Sequence, residues 1–360
     1  MPTDTRTRVR DLIGSVAHPQ GAARGLRRWV GPGWLWALLT VAVVGATLAT
    51  PYFFTSANLR NLMGQSVGLG IVALGQTFVI LTAGIDISVA ATISLSSCLL
   101  MGIVDGDPGK IVPALAVVVL AGIVIGLVNG VTIVALRIPP FIVTLGTASI
   151  VQGITFLYTD QTTIGKPAPQ MSTLGYASWG PFPVLFVGFA ILALVALIVQ
   201  NRTVGGRHLF AVGGSEQIAR LSGVPTARVK IAAYVACGFL AALAGIALSM
   251  RLGAGEPLVG QGFDWDSIAA VVIGGTLLTG GRGGVGGTIG GVAMIVILNN
   301  TMNLLAVSPY LQLVTKGGIV LLAVIISAVS ARRAARGSTL GWWRDVHPPT
   351  VEPTVLEGGA

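Results

Sequence analysis

Residues 111–136 read IVPALAVVVLAGIVIGLVNGVTIVAL, with no charged side chain from Ile111 to Leu136. At about 1.5 Å of rise per residue, a helix of this length clears the roughly 30 Å hydrocarbon core of a bilayer. Hydrocarbon offers the backbone no hydrogen-bond partner, so a stretch this apolar satisfies its own amides as a helix. Gly122, Gly126 and Gly130 recur four apart on one face, and small residues at that spacing let two helix backbones cross closely. The stretch therefore predicts a membrane-spanning helix with a tight crossing.

Runs of the same kind recur on both sides of it, separated by Gly, Pro, Asn or charged punctuation. The expected spans are Trp34–Phe54, Ser66–Ala83, Ile87–Val104, Ile111–Leu136, Phe141–Thr159, Phe182–Val199, Ile231–Met250, Ser267–Thr279, Val285–Leu305 and Leu311–Val329. The fold class is all-α, a polytopic integral membrane protein of about ten transmembrane helices. The eighth span is short, and the second and third are broken by glycine, so re-entrant or discontinuous helices belong there. Gly287 and Gly291 repeat the four-residue spacing in the ninth. Composition agrees: 53% of the 360 residues are hydrophobic and 10% charged, where soluble domains are about a quarter charged.

Three regions follow. Residues 1–33 are a polar, Arg-rich tail without the apolar core and small-residue cleavage site of a signal peptide. Residues 34–330 are the transmembrane domain, and 331–360, Arg-rich and then Pro-rich and polar, read as a disordered tail. An even span count puts both termini on one side. With both in the cytoplasm, all but five of the 22 Lys and Arg fall on the cytoplasmic side, the exceptions being Arg60, Lys110, Lys166, Arg251 and Lys316. Trp29, Trp34, Trp36, Trp342 and Trp343 flank the first span and the C-terminal tail, as interface anchors do. The same dispersal of the basic residues among short connections argues against a nucleic-acid partner, despite a net charge of +9.

Several chemistries are excluded by what the chain lacks. His18, His208 and His347 are scattered, and no metal-ligand spacing exists among them. Cys98 and Cys237 each sit inside an apolar run as small hydrophobes. No G-x-x-x-x-G-K-[ST] phosphate loop occurs, and no nucleophile is paired with a His or carboxylate, so neither ATP binding nor catalysis is encoded. Gly281-Arg282-Gly283-Gly284-Val285-Gly286 matches G-x-G-x-x-G but has no strand before it, and reads as a coincidence.

Two connections are long enough to carry function. Residues 160–181 have three prolines and little charge, and with 251–266 they form the expected outer surface, where Glu256, Asp264 and Asp266 supply charge. Residues 200–230 carry an N-cap at Ser215, a short amphipathic helix, and a stop at Gly223 before Pro225. Such a helix lies readily in a partner's groove, though a plain linker between spans is the competing reading. Asp86 is the carboxylate placed between two buried spans. It reads first as a cap for the helix from Ile87 and second as a pathway residue. Gln76, Asn129, Gln152, Asn299, Asn300 and Asn303 lie in apolar spans and suit hydrogen bonds either to hydroxyl groups along a central passage or from helix to helix.

Thr82-Ala83-Gly84-Ile85-Asp86-Ile87-Ser88, Ala219-Arg220-Leu221-Ser222-Gly223, and Ile268–Thr276 with Gly280-Gly281-Arg282-Gly283 together resemble the ribose-type permeases of carbohydrate ABC importers, over about residues 35–330. Ile218, Leu278-Thr279 and Ala90 depart from the usual pattern of Ala, Ser-Gly and Gly. The resemblance implies a permease subunit of the bacterial inner membrane that translocates a pentose, hexose or related polyol. It implies a coupling helix at Glu216, Ala219, Arg220, Leu221, Ser222 and Gly223 that seats in an ATPase subunit. It also implies an extracytoplasmic sugar-binding protein and a second permease subunit, a homodimer being expected. The chain binds no cofactor in this reading, and the partner uses the ATP. Gln76, Asp86, Asn129, Asn299 and Asn300 are the candidate pathway residues. A branched-chain amino-acid permease is the nearest alternative. A secondary transporter normally needs more ionisable residues at depth than Asp86 and Lys316.

Overall fold

A computed structural model describes residues 33–315 together with 317, 318, 321 and 325. Twelve helices are delimited within it: α1 (Gly33–Ala49), α2 (Ser56–Leu81), α3 (Val89–Val104), α4 (Ile111–Leu136), α5 (Pro140–Thr159), α6 (Pro169–Tyr176), α7 (Val184–Arg202), α8 (Val204–Gly214), α9 (Glu216–Leu221), α10 (Thr226–Leu252), α11 (Phe263–Ile273) and α12 (Val285–Leu304). The only strands among the described residues, β1 (Ser178–Trp179) and β2 (Phe182–Pro183), form a two-residue antiparallel ladder. Among the described residues α2, α4, α5, α7, α10 and α12 are long and apolar enough to cross a bilayer, and α1 and α3 are shorter apolar helices.

The bundle is organised around α10, which lies against α4, α2 and α3. The glycine face of α4 meets α10 backbone to backbone. A Cβ added at Gly126 would lie 2.8 Å from Val235 Cα, and one at Gly130 would lie 2.9 Å from Ile231 Cα. Only hydrogen fits there, as the spacing in the sequence requires. The opposite face of α4 leaves Val117, Leu120, Val124, Leu127, Val128 and Val131 exposed. Aliphatic side chains on an outward face match lipid tails.

Several expected boundaries move: the first span ends at Ala49 rather than Phe54, and the seventh begins at Thr226 rather than Ile231. The second span starts at Ser56, ten residues before Ser66, because Asn58, Arg60 and Asn61 sit within the first turns of α2 and disguise it as a polar connection. The eighth is confined to Phe263–Ile273. Its eleven residues rise only about 16 Å, roughly half the hydrocarbon thickness. Residues 274–284 then run as an irregular loop with positive φ at Gly275, Gly280, Gly281, Gly283 and Gly284. Between the second and third spans the helix is interrupted from Thr82 to Ser88. The tenth expected span, Leu311–Val329, lies mostly outside the described residues, although 309–315 are helical. The tails expected at 1–33 and 331–360 lie outside them as well, apart from Gly33.

Candidate functional site

Three chain reversals meet at one end of the bundle: the interruption after α2, the segment α8–α9, and the loop between α11 and α12. Gly281 N donates to Leu81 O (3.0 Å), which ties the α11–α12 loop to the end of α2. Gly213, near the end of α8, packs so closely on the Leu81 carbonyl that a Cβ would overlap the oxygen. Gln200, at the end of α7, is buried, and its Oε1 accepts from Val285 N (2.7 Å), the first amide of α12.

Helix α9 forms where the sequence places it. Ser215 Oγ accepts from Ile218 N (3.3 Å), and Gly223, at φ +79°, ends the helix. Ala219 is buried beneath it, whereas Ile218 is 66% exposed and Leu221 83% exposed. Ser222 Oγ donates back to Ile218 O (2.9 Å). Glu216 pairs with Lys230 on the first turns of α10. Beside α9 opens a cleft of about 1190 Å³, whose wall includes Arg137, Glu216, Arg220, Arg228 and Lys230. Helix α8 goes unread in the sequence because Gly205, Gly206, Gly213 and Gly214 bracket it; Thr203 caps it, its Oγ1 accepting from Gly206 N (3.1 Å).

The interruption after α2 holds a buried polar cluster. Asp86 Oδ1 accepts from Ser88 N (2.9 Å) and Ser88 Oγ (2.6 Å). The helix begins at Val89 rather than Ile87, so the carboxyl braces Ser88, the residue at the N-cap of α3, instead of capping the helix itself. Asn129 Nδ2 donates to Ser88 Oγ (2.8 Å) from α4. The Gln76 amide of α2, oriented by its neighbours, donates to Asp86 O (3.2 Å) and accepts from Asp86 N (3.3 Å). Tyr234 Oη of α10 donates to Ile85 O (3.3 Å). Gln76, Asp86 and Asn129 are thus brought together; Ser88, the last residue of the Thr82–Ser88 motif, joins them, as does Tyr234, which the sequence does not announce. Among the described residues, Asp86 Oδ2 and Asn129 Oδ1 have no hydrogen-bond partner.

The other polar candidates are elsewhere. Asn300 is buried and exchanges two bonds with Asn58 of α2, at 2.8 and 3.0 Å. Asn299 beside it is half-buried. Asn303 Oδ1 accepts from Gln312 Nε2 (2.9 Å), and Gln152 Nε2 donates to Pro257 O (3.0 Å). At the end of the bundle opposite α9, residues 160–181 and 251–266 are stitched together. Ile164 and Gly255 exchange backbone bonds of 2.9 Å, and Thr163 Oγ1 donates to Glu256 Oε2 (2.7 Å). A cavity of about 380 Å³ lies at that end, with Arg60, Asn61, Tyr176 and Arg251 in its wall. Among the described residues no group of His, Cys, Asp and Glu could hold a metal ion.

The family described as branched-chain amino acid transport system / permease component matches residues 58–325. The chain is 41% identical over 296 residues to the ribose import permease protein of Bacillus subtilis (strain 168), covering 80% of this chain and 90% of that one. It is 32% identical over 304 residues to the D-allose transport system permease protein of Escherichia coli (strain K12), covering 84% and 93%. It is 34% identical over 294 residues to the L-arabinose transport system permease protein of the same strain, covering 80% and 88%. No solved structure matches. The match runs from α2 past α12, and through it the chain belongs to the ribose-type permease family of carbohydrate ABC transporters.

Proposed function

We propose that this chain is the membrane subunit through which a monosaccharide enters the cell, driven by an ATPase that docks on α9. The observation that carries this reading is the similarity to permeases named for ribose, D-allose and L-arabinose along most of the chain. The matching family's description speaks of amino acids, but those relatives favour a sugar. Exposed Ile218 and Leu221 on a capped, non-spanning helix suit a groove in a partner. Glu216, Ala219, Arg220, Leu221, Ser222 and Gly223 are the proposed coupling residues. ATP is bound by the partner, and this chain carries no cofactor.

The remaining assignments follow from that role. About ten spans, with α11 as a partial one and a last helix beyond α12, leave both termini in the cytoplasm. A binding protein delivers sugar to the joined surface of 160–181 and 251–266, and two copies of the chain enclose the passage. Gln76, Asp86, Asn129, Asn299 and Asn300 are the pathway candidates. Asn300, bonded to Asn58, and Asp86, bonded to Ser88, also have structural roles.

The test is co-purification of the solubilised chain with its ATPase, followed by sugar uptake in proteoliposomes. Association that is lost on Glu216→Ala and Arg220→Ala, with uptake that requires ATP, is the expected result. Uptake that collapses with a proton uncoupler while ATP is held constant would instead identify a secondary transporter.

A further inference from the structure

Besides the packing of α8 on α2 and α10, the stretch from Gln200 to Gly214 makes two buried contacts at the loop that joins α11 to α12. The first is at its beginning: Gln200 Oε1 accepts from Val285 N (2.7 Å), and the Gln200 amide lies against the Gly284 backbone. The second is at the end of α8. A Cβ at Gly281 would lie 2.7 Å from Gly214 N, and one at Gly280 would lie 2.8 Å from Ala83 N and 3.0 Å from Gly213 Cα. Gly281 N meanwhile holds Leu81 O at 3.0 Å. The loop from Gly274 to Gly284 is therefore clamped between α7, α8 and the end of α2. It is also the connection between the partial helix α11 and α12.

The loop itself is internally braced. Gly284 N donates to Thr276 Oγ1 (3.0 Å), and Leu277 N donates to Arg282 O (3.1 Å). A displacement of its clamped points is carried to both helices it joins, because a braced, backbone-packed loop has little slack to absorb it. Those helices cross in turn without side chains between them: a Cβ at Gly274 would lie 2.7 Å from Thr288 N.

We infer that the Gly274–Gly284 loop, held by Gln200 and Gly213, is a joint through which movement of the coupling helix α9 enters the spans. Gln200, Gly213 and Gly281 are positioning residues in this account, since none need touch sugar or ATP. The inference rests on the transport reading above. It adds a route to it: force passes from α9 through α8 to the loop, and from the loop to α2, α11 and α12 together.

The test uses the complete transporter, with its ATPase and binding protein, in proteoliposomes, and measures sugar imported per ATP hydrolysed. Gly213→Ala puts a methyl against the Leu81 carbonyl and pushes α8 off the joint. Gln200→Leu removes the acceptor for Val285 N, and Gln200→Glu keeps one. Gly214→Ala is the control, since nothing lies within 4 Å of its added Cβ. Gly213→Ala and Gln200→Leu should assemble with the ATPase and hydrolyse ATP within about twofold of wild type, while sugar per ATP falls by about tenfold. Gln200→Glu and Gly214→Ala should keep the wild-type ratio. If Gly213→Ala does not fold, the two Gln200 variants decide. Unchanged sugar per ATP in Gln200→Leu, or uptake and hydrolysis falling in proportion, overturns the joint. Failure of the wild type to couple ATP to uptake overturns the transport reading instead, before any variant is compared.

Discussion

Asn58 and Asn300 bond each other twice across α2 and α12 in a buried setting, so each amide is the other's main partner. Asn300→Leu removes the donor to Asn58 Oδ1, while Asn58 Nδ2 keeps Phe53 O (2.9 Å), and should cost about 1–3 kcal/mol, read as a lower thermal midpoint in detergent. The pair Asn58→Leu with Asn300→Leu should cost less than the sum of the single changes, because no amide is then left without its counterpart. A strictly additive double variant would show that the two do not act as a pair. At this scale the sequence exposed polar residues inside apolar runs, and so drew attention to Gln76, Asp86, Asn129 and Asn300. It could not reveal their partners. Tyr234 is lost among apolar neighbours, Asn58 reads as part of a connection, and Gln200 reads as the start of one.

Helix α9 has six residues, too few to hold together without its cap. Ser215→Ala removes the acceptor for Ile218 N and should destabilise the helix by about 1 kcal/mol. Expression should be normal and ATPase association weaker. Unchanged association would mean that α9 does not need to be pre-formed to dock. In α4, Gly126→Leu forces a side chain into the backbone of α10 and should abolish a monodisperse preparation, whereas Gly153→Ala on α5, with nothing within 4 Å, should be silent. Elements with a single strong signal were legible: the uncharged run of α4, the glycine spacing, and the Ser215 to Gly223 caps. Elements with mixed signals were not. The polar first turns of α2 and the glycines bracketing α8 conceal helices, and the apolar residues after Ile273 imitate one that the Gly274–Gly275 turn has already ended.

For the whole molecule, hydropathy and the distribution of Lys and Arg predict an orientation that can be measured directly. Reporter fusions within 160–181 should report the outside and fusions within 200–230 the cytoplasm; the reverse would invert the protein in its membrane. Val124 is exposed on the apolar outward face of α4, and Val124→Lys should cost about 2.5–3.5 kcal/mol at the centre of the span, so the variant should insert poorly. Cys98 and Cys237 are both fully buried, so neither thiol meets a water-borne reagent. The native chain is thus already a silent background for thiol labelling. A cysteine introduced at Leu221 would carry the only reactive thiol, and a fluorophore there could time the arrival and departure of a partner without any native cysteine having been removed.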